Sequence, residues 1–417
     1  MYALGKFPKL SNIACKSKWS WSTIWLYEGY TASCHRCSKD KLSPETFSNF
    51  HNTPNKIKQR EMMLNDEWPG QGCEFCKDVE DIGGVSDRIM QTKIPNYPSE
   101  LHNNKTATNT TPTTVEVFFD NKCNLACVYC CSRNSSKIQA ENKKYGNIQL
   151  SNETSTNSVK DTNYEENKHL FWKWMEQNST NVENFNILGG EPFIQEDFNT
   201  ALDFFKNNPS LNLTIVIVSN LTILPRKFNA CILQLKELVV NKQIRGVHIL
   251  SSIDAWGPEE EFVRYGIDLN MFDENINYML DQGDWLTVSI NQTITSLTIN
   301  GMPLLIDKIN EWRKKKDIGH YGGKVIGRNH LNPEHFGPEF WKETFDLILS
   351  KMQNETYNEQ QAVNLIKGEQ LRFNNSTGEN KEMKEELFMY LDEIDKRRNT
   401  DWRNVFPYLI KDANDVV

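Results

Sequence analysis

Three cysteines stand at offsets of four and three in Cys123-Asn-Leu-Ala-Cys127-Val-Tyr-Cys130. Cysteine thiolates are the usual ligands of iron–sulfur clusters, and four of them close a [4Fe–4S] cube. Three leave one iron open, and an open metal position is where a substrate or cofactor binds. Zinc sites favour paired Cys-x-x-Cys elements, which the Cys123–Cys127 interval does not match. Cys131 follows directly, and its side chain is expected to point away from its neighbour's, as a non-ligand. A second group of thiols lies upstream: Cys15, Cys34, Cys37, Cys73 and Cys76. Cys34-x-x-Cys37 with Cys73-x-x-Cys76 is a plausible zinc ribbon with a long intervening stretch. Cys231 falls in an apolar helical pattern and reads as a buried core thiol.

These residues need elements to hold them. Val115–Phe119 is β-branched and aromatic and reads as a strand, so the cysteine loop leaves the carboxyl end of that strand. Further strands are expected at 184–188, 213–218, 246–250, 285–290 and 324–326. Helices are expected near 169–177, 196–206, 227–240, 259–280 and 303–313. Strand-then-helix repetition argues for a parallel sheet with helices outside, and such sheets collect function at the carboxyl ends of their strands. The second strand ends in Gly189-Gly190-Glu191-Pro192. Two glycines permit close backbone approach, and a carboxylate beside them can accept charge-assisted hydrogen bonds from a cationic amino group. The third strand ends in Ser219-Asn220 and the fourth in Ser251-Ser252-Ile253-Asp254, which either bind a ligand or cap the next helix. Upstream, the aromatic alternation of Trp19–Tyr27, the turn at Glu28-Gly29 and the return at Tyr30–Cys34 predict a hairpin. Residues 55–66 predict a helix that delivers the chain to Cys73. Residues 91–114 read as a linker, and the polar stretch 137–165 as a disordered loop or, alternatively, a lid. Residues 337–411 read as helical.

The chain has 417 residues, ten of them cysteine, and a net charge of −8; its mean hydropathy is −0.61 and its isoelectric point about 5.6. That length suits one large domain and a smaller one. An acidic balance disfavours a bulk nucleic-acid surface. No apolar run approaches the roughly eighteen residues of a membrane helix, and the first eight residues lack a long apolar signal core. A cytoplasmic location follows as the expectation, the host's cytoplasm if the chain is phage-encoded. There, clustered cysteines favour metal ligation over disulfides.

The spacing of Cys123, Cys127 and Cys130, with Tyr129 before the last, resembles the signature of the radical S-adenosylmethionine (SAM) superfamily, and Gly189-Gly190-Glu191 matches that family's motif. The resemblance implies a [4Fe–4S] cluster on the three cysteines, with SAM chelating the open iron and cleaved by one electron to a 5′-deoxyadenosyl radical. It implies an α/β fold, a partial (β/α)6 TIM-like barrel. Glu191 with Gly189 and Gly190 would meet the SAM amino group. Asn220, Ser252 and Asp254 would take ribose hydroxyls or the carboxylate, and Tyr129 would pack on the adenine or shield the cluster. Arg264 reads as a solvated helix residue, with pairing to the SAM carboxylate the alternative. Cys15, Gly29, Cys34 and the pair 73–76 resemble the first half of the SPASM/Twitch pattern. That implies Cys15, Cys34, Cys73 and Cys76 as ligands of an auxiliary [4Fe–4S] cluster, with structural zinc the alternative.

The division implied is a Twitch-like unit at 1–100, a linker at 101–114, the barrel at 115–330 and a helical extension at 331–417. The resemblance points to a peptide or protein substrate, with a nucleotide, sugar or RNA as the alternative. It also implies a one-electron reductant such as flavodoxin or ferredoxin. A non-catalytic zinc-ribbon binding protein is the reading from outside the enzymes.

Overall fold

The computed structural model describes residues 13–70, 72–81, 86–92, 107–151, 159–376 and 378–410. The readings of residues 1–8, of 93–106 in the linker and of 152–158 in the polar insertion lie outside these. The strands are β1 (Trp21–Trp25), β2 (Tyr30–Ala32), β3 (Asp40–Lys41), β4 (Thr114–Phe118), β5 (Ala126–Cys127), β6 (Asn184–Leu188), β7 (Ser210–Ser219), β8 (Ile244–Ser252), β9 (Arg264–Tyr265), β10 (Leu286–Ile294) and β11 (Gly319–Lys324). The chain divides into two compact units: Met1–Phe119, Lys160–Ile187 and Asn208–Ile215 form the first; Asp120–Val159, Leu188–Asn207 and Val216–Val417 the second. It is a mixed α/β protein with largely parallel strands, as expected from the strand–helix alternation.

In the first unit the predicted hairpin forms. β1 and β2 pair antiparallel with Trp25 opposite Tyr30, and Gly29 takes the turn at φ +69, a region that favours glycine. The other edge of β1 pairs in parallel with β4, Trp21 opposite Thr114. Ile24, Val115 and Val117 are fully buried, and so is Thr23, which alternation sends to the opposite face; both faces of this strand pair are covered. The helix Pro54–Leu64 begins where Thr53 accepts the Lys56 N–H and proline occupies the first turn, a strong start signal.

In the second unit β8, β10 and β11 run parallel. Val288 lies opposite Ile249 and Ile290 opposite His320. Val247, Ile249, Val288 and Ile290 are at most 2% exposed. Burying each such aliphatic side chain contributes roughly 1.5–3 kcal/mol. The helices Pro225–Val240, Leu269–Leu280 and Met302–Arg313 present apolar stripes such as Phe228, Ile232 and Leu235.

Three expectations change. The last strand is Gly319–Lys324 rather than 324–326; its three glycines hide the strand from a propensity reading. The helix expected over 259–280 is broken into Pro258–Val263 and Leu269–Leu280, with β9 between. Gly266 at φ +98 makes the turn between them. In the polar insertion, Ser136–Tyr145 is a helix: Ser135 caps the Ile138 N–H, and Ile138 is buried. Glu141, paired with Arg398, and Gln139, accepting from Asn121, anchor it further where apolar periodicity is absent. Among the described residues no helix is long and apolar enough to cross a membrane.

Candidate metal and cofactor centre

The cysteine loop follows β4 and belongs to the second unit. β5 carries Ala126 and Cys127 and pairs antiparallel with β9, Cys127 opposite Arg264. The Val128 N–H donates to Val263 O at 2.8 Å. Side chains fix the rest of the loop. Ser136 Oγ accepts the Cys123 N–H at 3.1 Å, and Ser135 Oγ donates to Leu125 O at 2.7 Å. Asn124 Nδ2 donates to Thr222 O at 2.6 Å. Arg328 donates to Cys130 O at 2.6 Å, and Tyr390, on the helix Lys381–Arg398, donates to Val128 O at 2.5 Å. Burial pushes the Cys123 thiol up to about 11 and, partly offset by the nearby Arg264, the Cys127 thiol up to about 12. Cys130 is raised too, by burial and then by its neighbouring thiols. Cys131 is half-buried, and Cys231 is buried as expected.

The Gly-Gly turn lies directly on this loop. Gly190 N–H donates to Asp120 O at 3.1 Å and Glu191 N–H to Lys122 O at 2.8 Å. A Cβ on Gly190 would collide with the carbonyl of Lys122, and one on Gly189, whose φ is +122, would come 2.6 Å from Asp120 O. Both positions therefore require glycine. Gln195 Nε2 reaches the same two carbonyls at 3.2 and 3.3 Å. Glu191 is fully buried. Its Oε1 accepts Ser219 Oγ at 2.8 Å and the Phe193 N–H at 3.2 Å, and its Oε2 accepts the Asn220 N–H at 2.8 Å. A carboxylate has about four acceptor positions, so Oε2 retains one. Burial nonetheless outweighs these donors and pushes the Glu191 carboxyl up to about 7. Asn220 donates in turn to Asn124 Oδ1 at 2.9 Å, so the ends of β6 and β7 meet the cysteine loop through one polar chain.

Arg264 is buried on β9, not solvated on a helix. It grips the fully buried Asp254 with two nitrogens, at 2.8 and 2.9 Å, and Glu260 at 3.2 Å. Its guanidinium lies 5.5 Å from the Tyr129 ring. Asp254 also accepts the Tyr129 hydroxyl at 2.6 Å and the Thr293 N–H at 2.7 Å. Glu260 accepts the Ala255 N–H at 2.8 Å, and burial with the Asp254 charge holds it well above the usual carboxylate range. Asp254 and Tyr129 thus turn their polar atoms to each other and to Arg264. Ser252 is buried at the end of β8, opposite Asn291. Gln292 bridges Asp254 O at 2.7 Å and His320 Nε2 at 2.9 Å. Arg264, Glu260, Gln195 and Tyr390 carry no motif; a buried arginine reads as solvated when its segment is taken for one long helix.

In the first unit the upstream thiols also gather, and Cys37 is among them. Cys34 and Cys37 sulfurs are 3.3 Å apart, and Cys37 lies within hydrogen-bonding reach of Cys73. Gly72, at φ +99, lets the Cys73 loop pack on Arg36 and Cys37; a Cβ there would strike the Arg36 carbonyl. The Arg36 guanidinium, inside one Cys-x-x-Cys, lies 3.8 Å from the Phe75 ring, inside the other. Cys15 feels the charges of Lys18 and Cys76. Among the described residues no three His, Cys, Asp or Glu side chains are arranged to hold a single metal ion.

No family model and no curated protein matches the chain. Two crystal structures of Streptococcus suis SuiB are similar in fold. The one bound to S-adenosylmethionine has a TM-score of 0.35 and 16% identity, covering 73% of this chain and 61% of that chain. The other has a TM-score of 0.35 and 14% identity, covering 73% and 60%. This chain therefore spans about three fifths of the SuiB length. At these values the likeness assigns no residue and no activity here.

Proposed function

We propose that the chain is a radical SAM enzyme whose Cys123, Cys127 and Cys130 hold a [4Fe–4S] cluster. The observation that carries the reading is the seating of the three-cysteine loop on the Gly189-Gly190 turn, with the buried Glu191 behind it. Three thiols suit a cube with one iron open. Two glycines without Cβ let the turn pack on the Asp120–Lys122 backbone that leads into the cysteine loop. The bound cluster and SAM would supply one-electron reduction and a carbon radical able to abstract hydrogen. The chain's own residues bind and orient. Glu191 Oε2 offers its remaining acceptor position to a cationic amino group, a charge-assisted contact. Asn220 and Ser252 offer polar groups for ribose hydroxyls or a carboxylate. Arg264, tied to Asp254, Glu260 and Tyr129, keeps β9 against the cysteine loop and acts as a positioning group. The upstream thiols would hold an auxiliary Twitch-like cluster, and the substrate is proposed to be a peptide or protein.

Anaerobically reconstituted protein given SAM and dithionite is expected to form 5′-deoxyadenosine, and Cys127→Ala to reduce its formation to background. Equal rates in the two proteins would overturn the assignment.

A further inference from the structure

The first unit buries three cations, and its buried carboxylates, such as Glu116, turn elsewhere. Lys18, on the short helix Ser17–Ser20, is 1% exposed, as is Lys56; Arg60 is fully buried. Among the described residues none of the three forms an ion pair. Arg60 and Lys56 are served by neutral oxygens. Arg60 donates to Lys18 O at 2.9 Å and Ala107 O at 2.6 Å. Lys56 donates to Thr31 Oγ1 at 2.8 Å, Phe50 O at 2.7 Å and Ser22 Oγ at 3.0 Å. Lys18 differs. Its ammonium reaches Gln59 Oε1 at 2.5 Å and Cys37 Sγ at 2.9 Å, and so points into the thiol group. Where Lys56 has three neutral oxygens, Lys18 has one and a sulfur, and a neutral thiol is a weak acceptor, so its burial is left less well compensated. Thiolates bound to a metal centre supply the missing charge, and the donor set of Cys15, Cys34, Cys37 and Cys73 around one buried cation fits such a centre.

We propose that Lys18 is the counter-charge of an anionic iron–sulfur centre in the first unit, and that Cys37 is one of its ligands. This rests on the reading that the upstream thiols bind a cluster, and it changes the ligand set implied by sequence resemblance. Cys37, not counted there, is the sulfur that Lys18 touches and that neighbours both Cys34 and Cys73. An N–H donor and a positive charge beside a ligating sulfur stabilise the centre more when it has gained an electron, and so raise its reduction potential.

The test uses the full chain with Cys123, Cys127 and Cys130 all changed to alanine, leaving the first unit's thiols intact. After anaerobic reconstitution it should hold about four iron and four sulfide per chain. Adding Cys37→Ser should remove at least half of that iron. Adding Lys18→Met should leave iron bound but move the midpoint, followed by spin resonance during a redox titration, to a more negative value; Lys18→Arg should restore most of the shift. Where the methionine variant does not fold, Lys18→Gln serves the same comparison. Iron fully retained after Cys37→Ser, or a midpoint unmoved without the lysine charge, overturns the proposal alone. A triple-alanine chain that takes up zinc and no iron overturns the cluster reading and the proposal with it.

Discussion

Glu191 combines full burial with three internal donors, and the two pull its protonation in opposite directions. Burial wins, and the carboxyl is raised to about 7 from its ordinary 4.5. A raised acid in the folded state means that the native protein holds a proton that the unfolded chain has released. Its contribution is fully present below about 4.5 and is lost as pH rises through about 7, a change of about 3 kcal/mol at 1.36 kcal/mol per unit. Glu191→Gln removes this dependence. Urea unfolding at pH 5 and pH 7.5 should show the gap between parent and variant changing by about 2 kcal/mol, the rest being lost already below pH 5, with the parent losing ground at the higher pH. A gap that stays constant would mean Glu191 titrates normally. The motif Gly189-Gly190-Glu191 was legible in the sequence; the inward turn of Glu191 to Ser219 and Asn220 was not, because it depends on where β7 ends relative to β6.

At the scale of elements, the site depends on two seatings. The first is the Gly-Gly turn on the cysteine loop. Gly190→Ala drives a Cβ into Lys122 O, and such overpacking costs about 1–3 kcal/mol. The expected result is lower stability with reduced iron at the Cys123 loop. Gly368→Ala, in the helix Tyr357–Asn374 with open space around it, should instead stabilise by roughly 0.5–1 kcal/mol and leave iron unchanged. The second seating is β9. Arg264→Leu leaves the carboxylates of Asp254 and Glu260 buried without their cation, at a cost of about 3–5 kcal/mol. Adding Asp254→Leu should recover part of that loss in thermal unfolding; no recovery would mean the pair is not coupled. The strand–helix alternation read correctly because β4, β6, β7, β8 and β10 are β-branched or apolar runs. β9 and β11 did not read. β9 is two residues long inside an apparently helical stretch, and β11 is held by its neighbour β10 rather than by its own glycine-rich sequence.

For the whole molecule, net charge is the property that sequence determines most directly. The net charge is −8, and thiolate-bound clusters add negative charge rather than positive. The buried cations of the first unit, Lys18, Lys56 and Arg60, are inside and cannot contact a phosphate backbone at the surface. What composition could not supply was this sorting of cations into buried and exposed, since three-dimensional packing alone decides which lysines face the thiols. Non-specific nucleic-acid binding draws its free energy from cations that displace counterions at phosphates, and weakens steeply with salt. A labelled random-sequence single-stranded RNA, titrated by fluorescence anisotropy at roughly 50 mM salt, is therefore expected to show no saturable binding below about 100 µM, a weak affinity on the scale of non-specific contacts. The same titration repeated at about 200 mM salt should look alike, because few counterions are released. Micromolar binding that falls sharply between the two salt concentrations would instead reveal a basic surface built against the net charge, and would move the substrate from a peptide to RNA.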